Sequence, residues 1–236
     1  MKIGIFFPDY GSQFVGMAKD LYDDSRLIQE YFEEASNCVN INFVKLCFAS
    51  SESELSKLQN AFLSLFLVSV ATAALIKETG IKIDKVAGMG IGEFSAITTA
   101  KGLSFPDGLY ILSKLTEFLQ NKSTDQLDSQ LNIDIIDDFI IYFEKIDFKN
   151  LQVPLISCVD AKEIIDAKNL KKYVVKNLTK PHSMKKLLSR FDDCDIIIVP
   201  TPGIELSKDI MKALPGKKVI TIAQPADLVM LKTTLS

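Results

Sequence analysis

Asp84-Lys85-Val86-Ala87-Gly88-Met89-Gly90-Ile91-Gly92-Glu93-Phe94-Ser95-Ala96 decides how this chain is read. Asp84 to Gly88 has the apolar character of a buried strand, Met89 to Gly92 can only turn, and Glu93 onward opens a helix. This is the strand–turn–helix frame of a nucleophile elbow, G-x-S-x-G, in which a serine stands on a strained turn above an α/β sheet. The central position here is Gly90. Glycine carries no reactive atom, yet it is the residue that most readily takes the positive-φ backbone such a turn demands. The frame for catalysis is present without its nucleophile.

Working outward, Ile3 to Phe7 reads as a buried strand closed by Pro8 and a turn through Asp9 to Ser12. Helical patterns cover about 14–22 and 27–35. Ser51-Glu52-Ser53-Glu54 predicts a helix start, continuing as a buried helix to about Thr79 with Gly80 as its stop. After the elbow, the pattern predicts a helix to about Ala100 and another over 105–120, entered through Pro106. Asn121 to Gln126 is the most polar, loop-like segment. Beyond it come a helix over 133–145, a strand over 153–157, and helices over 168–177 and 184–191. A strand over 195–199, Pro200-Thr201-Pro202-Gly203, a helix, a strand over 218–222 and a helical tail complete the chain. Strands alternating with helices indicate an α/β fold with a largely parallel sheet.

Composition narrows the function. At 236 residues and 47% hydrophobic, the chain can bury a sizeable core. A net charge of −3 argues against a nucleic-acid or anionic-membrane binder. Cys38, Cys47, Cys158 and Cys194 are widely spaced, which suits reduced thiols in a cytoplasmic protein better than disulfides or a zinc site. The N-terminus is too short and too soon interrupted for a signal peptide. The apolar run from Ala61 to Ile76 contains Ser64, Ser69 and Thr72, which fits a buried core helix better than a membrane span of about 20 residues. No metal or cofactor is expected. Gly88 to Gly92 departs from a dinucleotide fingerprint because its third glycine comes one residue early.

Several segments together resemble the malonyl-CoA:acyl-carrier-protein transacylase family, including acyltransferase domains of polyketide synthases. Phe7-Pro8-Asp9-Tyr10-Gly11-Ser12-Gln13 is similar to that family's F-P-G-Q-G-S-Q, and Gly16-Met17 continues it. Gln59 resembles the glutamine of its Q-P-A-L segment. Gly88 to Asp107 follows G-H-S-L-G-E-Y-S-A and the S-F-x-D-A helix start. Phe148 to Cys158 resembles its P-V-x-S-N strand, and Thr201-Pro202-Gly203 its G-P-G. The resemblance implies an α/β-hydrolase-like core.

The departures fall on the chemistry. The resemblance places Gly90 where the family has its acyl-accepting serine, Met89 at the preceding histidine, and Leu115, beside Lys114, at the arginine that pairs with the malonyl carboxylate. Asp128 stands for the catalytic histidine of F-H-S-x-L-M. Tyr10 replaces the glutamine whose backbone helps form the oxyanion hole, and Cys158 replaces an asparagine. No intact catalytic set is expected. Tyr10, Gly11, Gln59, Gly88 and Gly92 are the candidate remnant of a ligand pocket. The chain reads as a single domain over 1–236, with 121–126 as a short loop in place of the family's ferredoxin-like small subdomain.

Three functions are weighed on this basis. The first is a catalytically inactive homologue that binds acyl carrier protein or another enzyme of fatty-acid or polyketide synthesis, with a coenzyme A thioester as a further ligand. The second is an active acyltransferase or thioesterase with relocated residues, for which Ser12, Ser95 and Asp128 are candidates. Ser12 and Ser95 read more simply as turn and helix-start hydroxyls, and Asp128 as a solvated loop carboxylate. The third is a non-catalytic subunit whose cleft is completed by another chain, marked by an apolar patch near 115–132. His182, the one histidine, is expected at a helix start on the surface, outside the site.

Overall fold

The structure, a computed structural model, describes residues 1–120 and 140–235. Its centre is a sheet of six strands in the order β4-β3-β2-β1-β5-β6. These are β1 (Ile3–Phe7), β2 (Lys85–Gly88), β3 (Leu155–Ile156), β4 (Glu163–Ile164), β5 (Ile196–Pro200) and β6 (Lys218–Ile222). All neighbours pair in parallel except β3 and β4, which are antiparallel. Every residue of β1, β2 and β5 is buried, as expected of central strands covered on both faces by helices.

The helices are α1 (Lys19–Asp24), α2 (Arg26–Val39), α3 (Phe43–Ala49), α4 (Glu52–Leu55), α5 (Leu58–Glu78), α6 (Gly92–Thr99), α7 (Phe105–Gln120), α8 (Ala167–Thr179), α9 (Met184–Ser189), α10 (Ile204–Ala213) and α11 (Pro225–Leu235). Residues 140–144 are also helical, so the predicted helix over 133–145 is seen only at its end, the rest lying outside the described residues. α5 is apolar on every side because it is surrounded: Ala61 through Ala73 are all buried. It is long and apolar enough to cross a membrane, but its burial against α2, α6 and α7 makes it the core helix of this fold.

Local signals placed some boundaries well. Ser104 caps α7, its Oγ accepting from Asp107 N–H at 3.1 Å while donating to the Asp107 carboxylate at 2.6 Å. Elsewhere the structure corrects the expectation. No helix covers 14–18, because Gly16 (φ 96°) and Ala18 (φ 64°) are left-handed and Gly16 N–H is held by Cys47 O at 2.7 Å. The helix expected from Ser51 is one turn, α4; Lys57 is extended and α5 starts afresh at Leu58, which puts Gln59 inside the helix. The strand expected over 153–157 shortens to Leu155–Ile156, and α3 and β4 had no counterpart in the pattern.

Candidate active site at the elbow

Register builds the site. Phe7 of β1 lies opposite Gly88 of β2, so Asp9 and Gly90 each follow two residues beyond the last paired position. Cys158 follows β3 at the same edge. The carboxyl ends of parallel strands are where an open α/β sheet places its ligands.

The turn itself is a matter of close approach. A Cβ on Gly88 would fall 2.3 Å from the Gly92 backbone, and one on Gly92 would fall 2.3 Å from Pro8 O. These two glycines let β1, β2 and α6 touch backbone to backbone and so pack the elbow. Gly90 has φ 49°, a left-handed conformation. Gly92 N–H donates to Met89 O at 2.8 Å and closes the turn.

Asp9 fills the space above Gly90. Both its carboxylate oxygens lie 2.3 Å from where a Gly90 Cβ would stand. Its Oδ1 accepts from Tyr10 N–H at 2.7 Å and Ile91 N–H at 3.0 Å. Burial raises the Asp9 pKa, while those two donors and the charge of His182 oppose the rise. Sequence reasoning passed over Asp9, although it stands where the resembled motif has a glycine.

Beneath the elbow lies a buried polar network centred on Glu93, the second residue of α6 and fully buried. Tyr173 OH donates to Glu93 Oε1. Cys158 N–H is shared between Tyr173 OH at 2.9 Å and Glu93 Oε1 at 3.4 Å. Cys158 Sγ is 3.4 Å from Asn177 Oδ1 and 3.6 Å from Glu93 Oε2. Burial pushes the Glu93 carboxyl up to about 8, with the Tyr173 and Cys158 hydrogen bonds opposing it. Burial and the neighbouring Glu93 carboxylate also push the Cys158 thiol up, so this cysteine stays protonated and is a poor nucleophile.

The other residues singled out from sequence fall in different places. Tyr10 is half exposed and its ring meets Phe62 of α5 edge-on at 5.6 Å, at the rim of the elbow. Gly11 N–H donates to Gln13 Oε1 at 2.9 Å within the same loop. Gln59 Nε2 reaches Ser113 Oγ of α7 at 3.4 Å. Leu115 is a core residue, 2% exposed, while Lys114 beside it pairs with Glu117 at 2.7 Å. Ser12 N–H closes a turn onto Asp9 O at 3.2 Å, and Ser95 is buried within α6. Asp128 and the segment 121–126 lie outside the described residues.

His182 requires a correction. It was expected on the surface away from the site. Instead it is half buried just before the Ser183 cap of α9, its Nε2 2.9 Å from Asn177 O, and its charge acts on Asp9. The reason is tertiary: Ser183 N–H donates to Cys158 O at 2.9 Å, which ties the 181–183 segment to the chain just beyond β3.

A separate cavity of ≈ 600 Å³ opens at the opposite end of α6, lined by Lys77, Thr99, Lys101, Ser104 and Asp107 among others. Lys77 Nζ there is held by Thr99 O. Among the described residues, no three His, Cys, Asp or Glu side chains converge as a metal site.

Comparison with known proteins places this geometry. Residues 6–122 match the acyl transferase domain family. Over 118 residues the chain is 38% identical to the malonyl CoA-acyl carrier protein transacylase of Bacillus subtilis (strain 168), a match covering 50% of this chain and 37% of that protein. The chain therefore aligns with little more than a third of that relative's length. The crystal structure of Synechocystis sp. PCC 6803 malonyl-CoA:ACP transacylase superposes with a TM-score of 0.85 at 21% identity, covering 98% of this chain and 100% of that one. A malonyl-transacylase in complex with its type II PKS acyl-carrier protein superposes with a TM-score of 0.89 at 17% identity, covering 99% and 100%. At such identities the likeness is one of fold: an α/β architecture with a mostly parallel six-stranded sheet.

Proposed function

With an acyl transferase domain carried by residues 6–122, we propose that this chain is a non-catalytic member of the malonyl-CoA:acyl-carrier-protein transacylase group, acting as a binding protein in fatty-acid or polyketide synthesis. The observation that carries the proposal is the apex of the elbow, where Gly90 offers no nucleophile and the Asp9 carboxylate takes its space. Nucleophile, base and oxyanion donors act as a unit in serine acyl transfer. Here the apex hydroxyl is missing, both neighbouring N–H donors are engaged, and position 115 is core leucine. The partner proposed is an acyl carrier protein or another enzyme of the same synthesis, on a surface retained around the elbow. The reading also takes the chain as one cytoplasmic domain, with 121–126 in place of the small subdomain.

Intact-mass spectrometry of the protein mixed with malonyl-CoA and a holo acyl carrier protein tests it. An unmodified carrier protein, together with a non-covalent complex between the two proteins, is the expected outcome. Carrier protein acylated above the no-protein control would overturn the reading.

A second reading, acyl transfer or thioester hydrolysis by relocated residues, is favoured by the match of residues 6–122 to the acyl transferase domain family together with the Asp9 carboxylate at the apex of the elbow. In that case acylation or hydrolysis would be seen and would vanish in Asp9→Asn or His182→Gln.

A further inference from the structure

We propose that Asp9 is a tethered occupant of the elbow, a carboxylate supplied by the chain itself that keeps external carboxylates and acyl carbonyls out of a binding position still built into the fold. The inference rests on the non-catalytic reading above and names the chemistry that closes the site.

Three observations carry it. First, the occupancy is steric. The Asp9 Cγ lies 2.5 Å, and each oxygen 2.3 Å, from the Cβ position of residue 90, so the carboxyl group and a side chain at 90 exclude one another. Asp9 therefore depends on Gly90: the carboxyl group fits in this position only where residue 90 carries no side chain.

Second, the occupancy is polar. Two backbone N–H groups from segments 81 residues apart converge on one oxygen of Asp9, Tyr10 N at 2.7 Å and Ile91 N at 3.0 Å. Converging N–H donors of this kind stabilise a carboxylate or a developing oxyanion. With Asp9 in place they have no free capacity, because each N–H makes its bond to the protein's own carboxylate.

Third, the position is desolvated. Burial raises the Asp9 pKa as the larger effect, and the two N–H donors and the His182 charge oppose it only in part. Through those donors the position that receives Asp9 is suited to any small carboxylate of similar shape.

Acetate is the probe. In Asp9→Gly, acetate should move the Tyr10 and Ile91 amide resonances saturably, with shifts at least about tenfold larger than in the unmodified protein. Asp9→Asn, which keeps shape and acceptor, should behave like the unmodified protein. Equal shifts in all three proteins, or none in Asp9→Gly, would overturn the proposal. A second measurement does not involve acetate. Gly90→Ser should be destabilised, and adding Asp9→Gly should recover roughly a tenfold factor in the folding equilibrium, the size expected of two residues in contact. Additive effects of the two substitutions would also overturn it. Malonyl transfer by the unmodified protein addresses only the non-catalytic reading, so the two can fail separately.

Discussion

The Asp9 carboxylate and Gly90 share one volume: both carboxylate oxygens lie 2.3 Å from the Cβ that any other residue at position 90 would carry. Two residues from different strand ends, each unremarkable alone, determine together whether the elbow is open. Gly90→Ala should therefore cost stability twice, once through the left-handed φ and once through overpacking, for a total of about 2–4 kcal/mol. Urea unfolding at fixed pH measures this, and a loss below about 0.5 kcal/mol would mean that Asp9 swings away freely.

Glu93 should impose a pH dependence on stability. Its folded pKa is raised from 4.5 to about 8 by burial. Between those values the native protein holds a proton that the unfolded chain has released, so stability declines as pH rises through the window and levels off above it. The decline attributable to this group is on the order of a few kcal/mol. Glu93→Gln, neutral at every pH, should flatten the slope between about pH 5 and pH 8 in chemical denaturation; an unchanged slope would place the dependence elsewhere.

Position 115 separates a core reading from a site reading. Leu115 is 2% exposed. Leu115→Ala should cost roughly 2–5 kcal/mol through lost transfer energy and the cavity left behind. Lys114→Ala, whose pair with Glu117 is surface-exposed, should stay within about 0.5 kcal/mol. Leu115→Arg should be worse than Leu115→Ala, since it buries an unpaired charge. Thermal melts of the three variants check the order.

Thiol labelling tests whether a substitute nucleophile exists. Cys38 is exposed, whereas Cys47, Cys158 and Cys194 are buried. One thiol should react with an aromatic disulfide reagent in the native protein near pH 8 and all four after denaturation. Rapid native labelling of Cys158, read by peptide mass, would contradict the protonated, enclosed thiol described above.

Much of the fold was legible because its signals are local. The strand–turn–helix at 84–96, the helix over 105–120 entered through Pro106, and the strand over 218–222 each announce themselves within a few residues. The helix expected over 14–22 is realised only from Lys19, because apolar periodicity does not report φ and Ala18 gives no sign that it is left-handed. β4 was invisible because two residues, Glu163 and Ile164, carry no pattern; their pairing with Leu155 and Ile156 defines them.

At the elbow, the sequence by itself determined that position 90 is a glycine and carries no side chain, whatever the chain does elsewhere. Only the tertiary structure decided what takes its place. Asp9 reaches the elbow because β1 and β2 pair in the register Phe7↔Gly88, and the segment carrying His182 is held nearby by Ser183 N–H on Cys158 O and by His182 Nε2 against Asn177 O. A residue's type is a local property. Which polar group fills a turn 81 residues away follows from strand register and close packing, and neither is encoded in the spacing of any single motif.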